Sequence, residues 1–217
     1  MKLHRVALCN LNSLYGEHRV GFDTDLGDAP LFLVVGQTGA GKSTIMDAIS
    51  LALFGETPRL DERRGDDNAD ARQIISRGEK EAWAEVVFST QAVGQPRRYH
   101  RARWICRRRR DVPGKLDGNV YRGIVEVSYP DCTPLGDEVY DTKAKTYEPA
   151  FERALEGMSV DEFRRSMLLA QGDFAALLKA KDDERAAILE RLTQTGQYKE
   201  IGRRAAERAT RARAALE

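Results

Sequence analysis

The sequence predicts an α/β fold in which a phosphate-binding loop, an antiparallel β lobe and a helical final third follow one another. Three observations carry this. Residues Gly36-Gln37-Thr38-Gly39-Ala40-Gly41-Lys42-Ser43 match the pattern G-x-x-x-x-G-K-[ST] at every fixed position. The span from Trp83 to Tyr129 is built of β-rich runs separated by Pro and Gly. From about Lys143 onward Ala, Glu, Arg and Leu dominate and strand patterns disappear.

Taken in order, Leu3–Asn10 and Arg19–Asp25 read as two strands joined around a turn at Tyr15-Gly16. Leu31-Phe32-Leu33-Val34-Val35 reads as a third, buried strand that delivers the chain to the phosphate loop. Ser43 to Phe54 reads as a helix with apolar residues at Ile45, Ala48, Ile49, Ala52 and Leu53. Glu56 to Gly78 is polar and irregular, with a short helical turn at Ala71–Ile75. Trp83–Phe88 is a strand, and Tyr99–Arg107 with Val120–Tyr129 forms a long hairpin connected through Pro113-Gly114 and Asp117-Gly118. Lys143–Glu156 is helical, and Ser159 caps a further helix. That helix is interrupted at Gln171-Gly172 and resumes at Phe174–Lys179. Asp182 to Glu217 reads as helix with Ile188, Leu192, Ile201, Ala205 and Ala212 near one face. The organisation expected is 1–142 for the phosphate loop and β lobe, 143–180 for a helical segment, and 181–217 for the start of a coiled-coil helix.

The loop's chemistry follows from its residue types. Glycines let the backbone wrap a phosphate chain where a Cβ would clash, and successive N–H groups form an anion nest at the positive end of the following helix. The candidate nucleotide-binding residues are therefore Gly36, Gln37, Thr38, Gly39, Ala40, Gly41, Lys42, Ser43 and Thr44. Lys42 supplies a mobile cation for the β- and γ-phosphates, and the Ser43 hydroxyl suits Mg²⁺. The cofactors expected are ATP and Mg²⁺.

Composition sets the remaining bounds. Of the 217 residues, 41% are hydrophobic and 32% charged, which supports a core with long exposed helices. No apolar run approaches the ~20 residues of a membrane helix, and Met1-Lys2-Leu3-His4-Arg5 lacks a signal peptide's apolar core. Cys9, Cys106 and Cys132 have spacings that suit no metal site. A cytoplasmic protein without a membrane partner is expected. The formal net charge of +1 hides segregation. Arg97 to Arg122 holds ten basic residues against Asp111 and Asp117, a surplus of +8, whereas Glu56 to Asp70 carries six acids against three arginines. The basic block suggests phosphate contacts with DNA, centred on Arg107, Arg108, Arg109 and Arg110. A basic face that meets the acidic segment or a protein partner stays open. Trp104 and Tyr99 are candidates either for base stacking or for burial.

A hydrolytic site also needs a carboxylate at the end of an apolar strand to hold Mg²⁺ and orient water. No apolar strand ending in Asp-Glu follows Ser43, and no serine-glycine-glycine signature is present. The chain therefore reads as part of an ATPase.

Four stretches make it recognisable: Leu11-Asn12-Ser13-Leu14; GQTGAGKSTIMDAISLALFGETPRL from Gly36 to Leu60; FRRSMLLAQGDFAALLKAKDDERAAILERLTQT from Phe163 to Thr195; and Gly196-Gln197-Tyr198. The chain resembles the N-terminal segment of the SbcC family, SMC-like ABC ATPases that form the ATPase subunit of bacterial SbcCD nucleases. The resemblance implies the N-terminal half of an ABC-type P-loop ATPase head whose chain leaves as a coiled coil. A C-terminal half would supply the signature motif and the acidic strand. It implies a head dimer with a second copy, an SbcD-type nuclease subunit and DNA as partners, association with the nucleoid, and action on double-strand ends and hairpins. It assigns Gln171 to a Q-loop contacting Mg²⁺ and the surroundings of the attacking water, so Lys42 and Gln171 are the catalytic candidates. Asn12 and Ser13 fall where relatives approach the nucleotide. Asn12 departs from the basic residue common there, and a turn role for both is equally open. The alternatives are an SMC-like chromosome or repair ATPase without a nuclease, the nucleotide-binding subunit of a transporter, and a small P-loop kinase or GTPase.

Overall fold

The computed structural model describes residues 1–27, 32–57, 74–91, 94–108, 118–160, 162–163, 205 and 208. In chain order the elements are β1 (Lys2–Leu11), β2 (Leu14–Gly21), α1 (Phe22–Leu26), α2 (Lys42–Phe54), β3 (Glu81–Thr90), β4 (Arg98–Arg108), β5 (Gly118–Val127), β6 (Val139–Asp141) and α3 (Ala144–Ala154). The chain packs as two units, Met1–Met158 and Ser159–Glu217. This is the mixed α/β architecture expected, with a phosphate loop set against an antiparallel lobe.

All six strands pair antiparallel in the order β2-β1-β3-β4-β5-β6. Strand alternation gives the sheet two unlike faces. One carries the cross-strand rows Val6–Val86–Ala102–Ile124 and Leu8–Ala84–Trp104–Arg122. Small residues stand opposite large ones in these rows, so Ala84 makes room for the fully buried Trp104. α2 packs against β1, β3 and β4, and α3 against β5 and β6. α2 buries Asp47 through Leu53 without a break, as expected of a helix that is apolar nearly all round.

Three expectations require correction. The turn joining the first two strands lies at Asn12-Ser13, not at Tyr15-Gly16, because Asn10 and Asn12 adopt left-handed backbone (φ 53° and 51°) and reverse the chain earlier. β2 then ends at Gly21, and Phe22–Leu26 is a helical turn, not strand. Residues 32–35 form no strand either: Leu33 and Val35 are 74% and 77% exposed, and no described backbone pairs with them. An apolar run of that kind suits a strand flanked on both sides; among the described residues Phe32 stacks on Phe22, with centroids 4.7 Å apart, but no strand lies beside the run. Leu31 lies outside the described residues.

The hairpin of β4 and β5, the helix at α3 and the helical loop exit at α2 agree with the sequence reading, while β6 was not anticipated. Ser159 caps as expected: its N–H and Oγ reach Glu162 Oε2 at 2.8 and 2.9 Å, and the Glu162 N–H returns to Ser159 Oγ at 3.2 Å. Of the Ala71–Ile75 turn only Ile74 and Ile75 are described; both are buried, and Ile75 bridges to Leu11.

Candidate functional site

The phosphate loop leaves residue 37 and enters α2 at Lys42 through two left-handed glycines, Gly39 (φ 86°) and Gly41 (φ 87°). Gly41 is doubly constrained. Its φ suits glycine, and a Cβ there would stand 2.7 Å from Leu14 Cδ2, at the start of β2. The Asn12-Ser13 turn is thereby carried up against the loop. A turn closes the loop's tip, with the Ala40 N–H donating to the Gln37 carbonyl at 3.2 Å.

At the start of α2 no side chain caps the free N–H groups, and no acid occupies the first turn. These groups and the positive helix end are therefore left for an anion. Lys42 Nζ donates to the Gly36 and Gln37 carbonyls at 2.7 and 2.8 Å, which hold the ammonium over the same concavity. Ser43 is exposed beside it, whereas Thr44 is buried. The donor set fits a phosphate chain: backbone N–H groups, one ammonium, one accessible hydroxyl and no competing carboxylate in the first turn. Ser43 would ligate Mg²⁺.

Asn12 is engaged in building the fold. Its Nδ2 donates to Asp47 Oδ2 at 3.4 Å, its N–H to the Ile74 carbonyl at 2.7 Å, and its carbonyl accepts from Ser76 Oγ at 2.9 Å. Ser13 is exposed. Gln171, Arg109 and Arg110 lie outside the described residues.

The described part of the basic block is largely spoken for. Glu85 bridges Arg5 and Arg103, each at 3.1 Å, Arg101 pairs with Glu138 at 3.1 Å, and Arg107 Nε donates to Glu81 at 2.5 Å. Register brings these partners together, since Glu85 stands opposite Arg103 and Glu81 opposite Arg107. The aliphatic stems cover the second sheet face, where Val87 and Ile105 are buried. The Arg107 side chain nevertheless stays 58% exposed, and Arg108 is half-buried. Arg122 points the other way, into the core. Trp104 is fully buried and unavailable for stacking, and Tyr99 stacks on Tyr129 with centroids 4.7 Å apart and planes 5° from parallel.

Sequence reasoning missed one polar cluster. His4 Nδ1 meets Asp23 Oδ2 at 2.5 Å and His4 Nε2 meets Ser89 Oγ at 2.8 Å, while Tyr129 donates to Asp23 and Lys2 pairs with it at 2.9 Å. The order Ser89–His4–Asp23 resembles a nucleophilic relay, but Ser89 is buried within a strand, so the cluster serves packing. Burial pushes the Asp23 carboxyl up, and the hydrogen bonds from Tyr129, His4 and Lys2 outweigh it, leaving it at about 2. Burial, together with donation to Asp23, raises Tyr129 to about 12. The pattern spans residues 2 to 129 and has no local signal.

Comparison with known proteins adds to this geometry. A family model described as an AAA domain matches residues 5–211. The chain belongs to the AAA domain family. It is 39% identical over 98% of its length to the SbcC subunit of the SbcCD nuclease of Pseudomonas aeruginosa, and 40% identical over 99% to that of Rhodobacter capsulatus. It matches the N-terminal part of those proteins and spans only 18% and 17% of their lengths. A likeness to the solved structure of the recombination mediator RecF with ATP covers 63% of this chain and 28% of that one, at 15% identity and a TM-score of 0.40. Among the described residues no helix is long and apolar enough to cross a membrane.

Proposed function

We propose that the chain is the nucleotide-binding N-terminal half of an ABC-type ATPase head that works with an SbcD-type nuclease in DNA repair and recombination. The observation that carries this is the uncapped, acid-free N-terminus of α2 behind a double-glycine loop, with Lys42 over it. Lys42 exchanges two neutral carbonyls for charged phosphate oxygens, a stronger class of hydrogen bond. Ser43 and Gln171 hold the site for Mg²⁺, which when bound neutralises the charge developing on the β- and γ-phosphates.

Leu33 and Val35, exposed in a run that pairs with no described strand, support the second half of the reading. A C-terminal half that brings its own strand would bury Leu33 and Val35 and place its acidic strand and signature motif beside the loop. Closure of two such heads on ATP would then control the nuclease partner and its access to double-strand ends and hairpins, in a cytoplasmic, nucleoid-associated complex. Three described arginines of the basic block, Arg101, Arg103 and Arg107, have carboxylate partners and Arg122 is buried, so DNA contact would centre on the exposed side of Arg107 and on Arg108, Arg109 and Arg110, with the exposed Arg97 and Arg98 at the far end of β4.

The test is reconstitution. The 217-residue chain should bind ATP–Mg²⁺ weakly and turn it over negligibly, and mixing with the C-terminal half should restore turnover. Steady hydrolysis by the chain alone, lost in Lys42→Ala, would refute the divided site. Within the restored head, Gln171→Ala should leave thermal stability within about 0.5 kcal/mol, as for ordinary surface changes, while hydrolysis falls sharply. Failure of the restored protein to co-purify with an SbcD-type nuclease would favour an SMC-like ATPase without a nuclease.

A further inference from the structure

Arg122 sits within β5 between Tyr121 and Gly123, yet its side chain is only 9% exposed. Its Nη2 donates to the Leu53 carbonyl at 2.8 Å, in the last turn of the phosphate-loop helix. Its guanidinium carbon stands 4.2 Å from the Phe151 ring centroid and 5.0 Å from that of Tyr147, both on α3. Where α2 ends, Gly55 turns left-handed (φ 80°), and a Cβ there would come within 3.0 Å of Arg122 Cδ and Nε. The chain thus leaves α2 directly beneath the arginine stem. One side chain touches three elements: the helix that begins at the phosphate loop, the sheet, and α3.

A buried cation is costly for stability alone, and a well-packed apolar residue often serves as well. What the charge adds is direction. The carbonyl end of α2 is the negative end of its dipole, and its own last turn holds no basic residue. Arg122 provides the missing cation, while the π faces of Phe151 and Tyr147 fix the guanidinium plane. α2 has 13 residues, so it is a rod of about 20 Å. Glycines in left-handed conformation stand at both ends, Gly41 at the loop and Gly55 under Arg122. A stiff rod carries a small displacement at the loop end along to its other end, and the side chain gripping that end decides which element feels it.

We propose that Arg122 is a positioning residue that ties the C-terminus of α2 to α3, so that nucleotide at the N-terminus of α2 is registered at α3. The inference rests on the nucleotide-binding reading above. The experiment compares the wild-type chain with Arg122→Met and Arg122→Lys. It measures binding of a fluorescent ATP analogue with Mg²⁺, thermal unfolding, and hydrogen exchange across residues 144–154 with and without ATP. In the wild type ATP slows exchange over 144–154. In folded Arg122→Met that protection disappears and nucleotide affinity falls by roughly tenfold, within the usual span of coupling between sites. Arg122→Lys, which keeps the charge but not the planar stack, loses most of the protection. A purely structural role would lower the melting temperature of the variants equally with and without nucleotide and leave the ATP-dependent protection intact, which overturns the proposal. If Arg122→Met does not fold, the same protection retained in Arg122→Lys overturns it as well. A wild-type chain that binds no nucleotide defeats the earlier reading; one that binds while 144–154 stays silent defeats this inference alone.

Discussion

Two regions of this chain invite a cation-based reading, and they behave in opposite ways. At the phosphate loop the Lys42 ammonium sits among backbone groups, and among the described residues its partners are two neutral carbonyls. In the β4–β5 block the surplus of +8 is much larger, yet Arg101, Arg103 and Arg107 each meet a carboxylate across or beside the sheet. Arg122 is withdrawn into the core altogether. Counting charge along the chain ranks the second region first. The three-dimensional partners reverse that ranking, because what recruits an anion is the field left over after the protein has satisfied itself.

The sharpest way to break the comparison is at Lys42. Lys42→Ala should weaken ATP–Mg²⁺ binding by roughly 100-fold, since two charge-assisted contacts go at once, with little change in melting temperature because the side chain reaches only loop carbonyls. An affinity within threefold of wild type would mean that the backbone nest alone holds the phosphate. Gly41→Ala should come next. The left-handed φ and the clash with Leu14 together cost about 2–4 kcal/mol. Gly41→Ala with Leu14→Ala should regain part of that loss, as the added methyl then meets less; no recovery in urea unfolding would locate the strain in φ alone.

A smaller effect belongs to the Asp23 cluster, which resembles the loop in being made by partners and not by count. Asp23 titrates at about 2 when folded, below its unfolded value of ~3.9. Its contribution, of order 2 kcal/mol, is therefore complete above about pH 4 and is lost as pH falls towards 2. Asp23→Asn should be less stable than wild type at pH 7 and should converge with it near pH 2. Parallel stability curves across that range would show that the hydrogen bonds to His4, Tyr129 and Lys2 do not depend on the carboxylate charge.

How much was legible in the sequence divides along the same line. The phosphate loop was legible because its function lies in consecutive backbone, and G-x-x-x-x-G-K-[ST] records the conformations that backbone needs. The β4–β5 hairpin and the Ser159 cap were legible for the same reason: turns and caps are local. The first hairpin was misplaced by a few residues because Gly16 is a familiar turn residue, while the asparagines at 10 and 12, which take up the left-handed positions, are a weaker signal. The run 32–35 was misread as strand because apolarity reports that a segment favours burial, not that a strand stands beside it. Arg122 and the His4–Asp23–Ser89 cluster were invisible, since each joins residues far apart in the chain through the packing of helices on the sheet, which leaves no local pattern.

The smallest expected stability change comes from the arginine ladder, and it tests the comparison most directly. Glu85 is 13% exposed and serves Arg5 and Arg103 together, while Glu81 serves Arg107. The exposed Arg107–Glu81 pair contributes about 0.2–1 kcal/mol; Glu85 is mostly buried, but a Gln there keeps a carbonyl oxygen for its two arginines, so Glu81→Gln with Glu85→Gln should lower stability only modestly. Its effect on polyanions should be larger in proportion. If the carboxylates mask the arginines, removing them exposes up to three cations, and each one that reaches a duplex phosphate adds about 0.9 to the slope of log affinity against log salt. The double variant should therefore elute later from heparin and bind duplex DNA with a steeper salt dependence and no sequence preference. Arg107, Arg108, Arg109 and Arg110 replaced together by alanine should move both readouts in the opposite direction and leave ATP binding unchanged. Unchanged heparin retention in the Gln variant would mean that the ladder never hid its charge, and the arginines of β4 would then be as available to DNA as the composition first suggested.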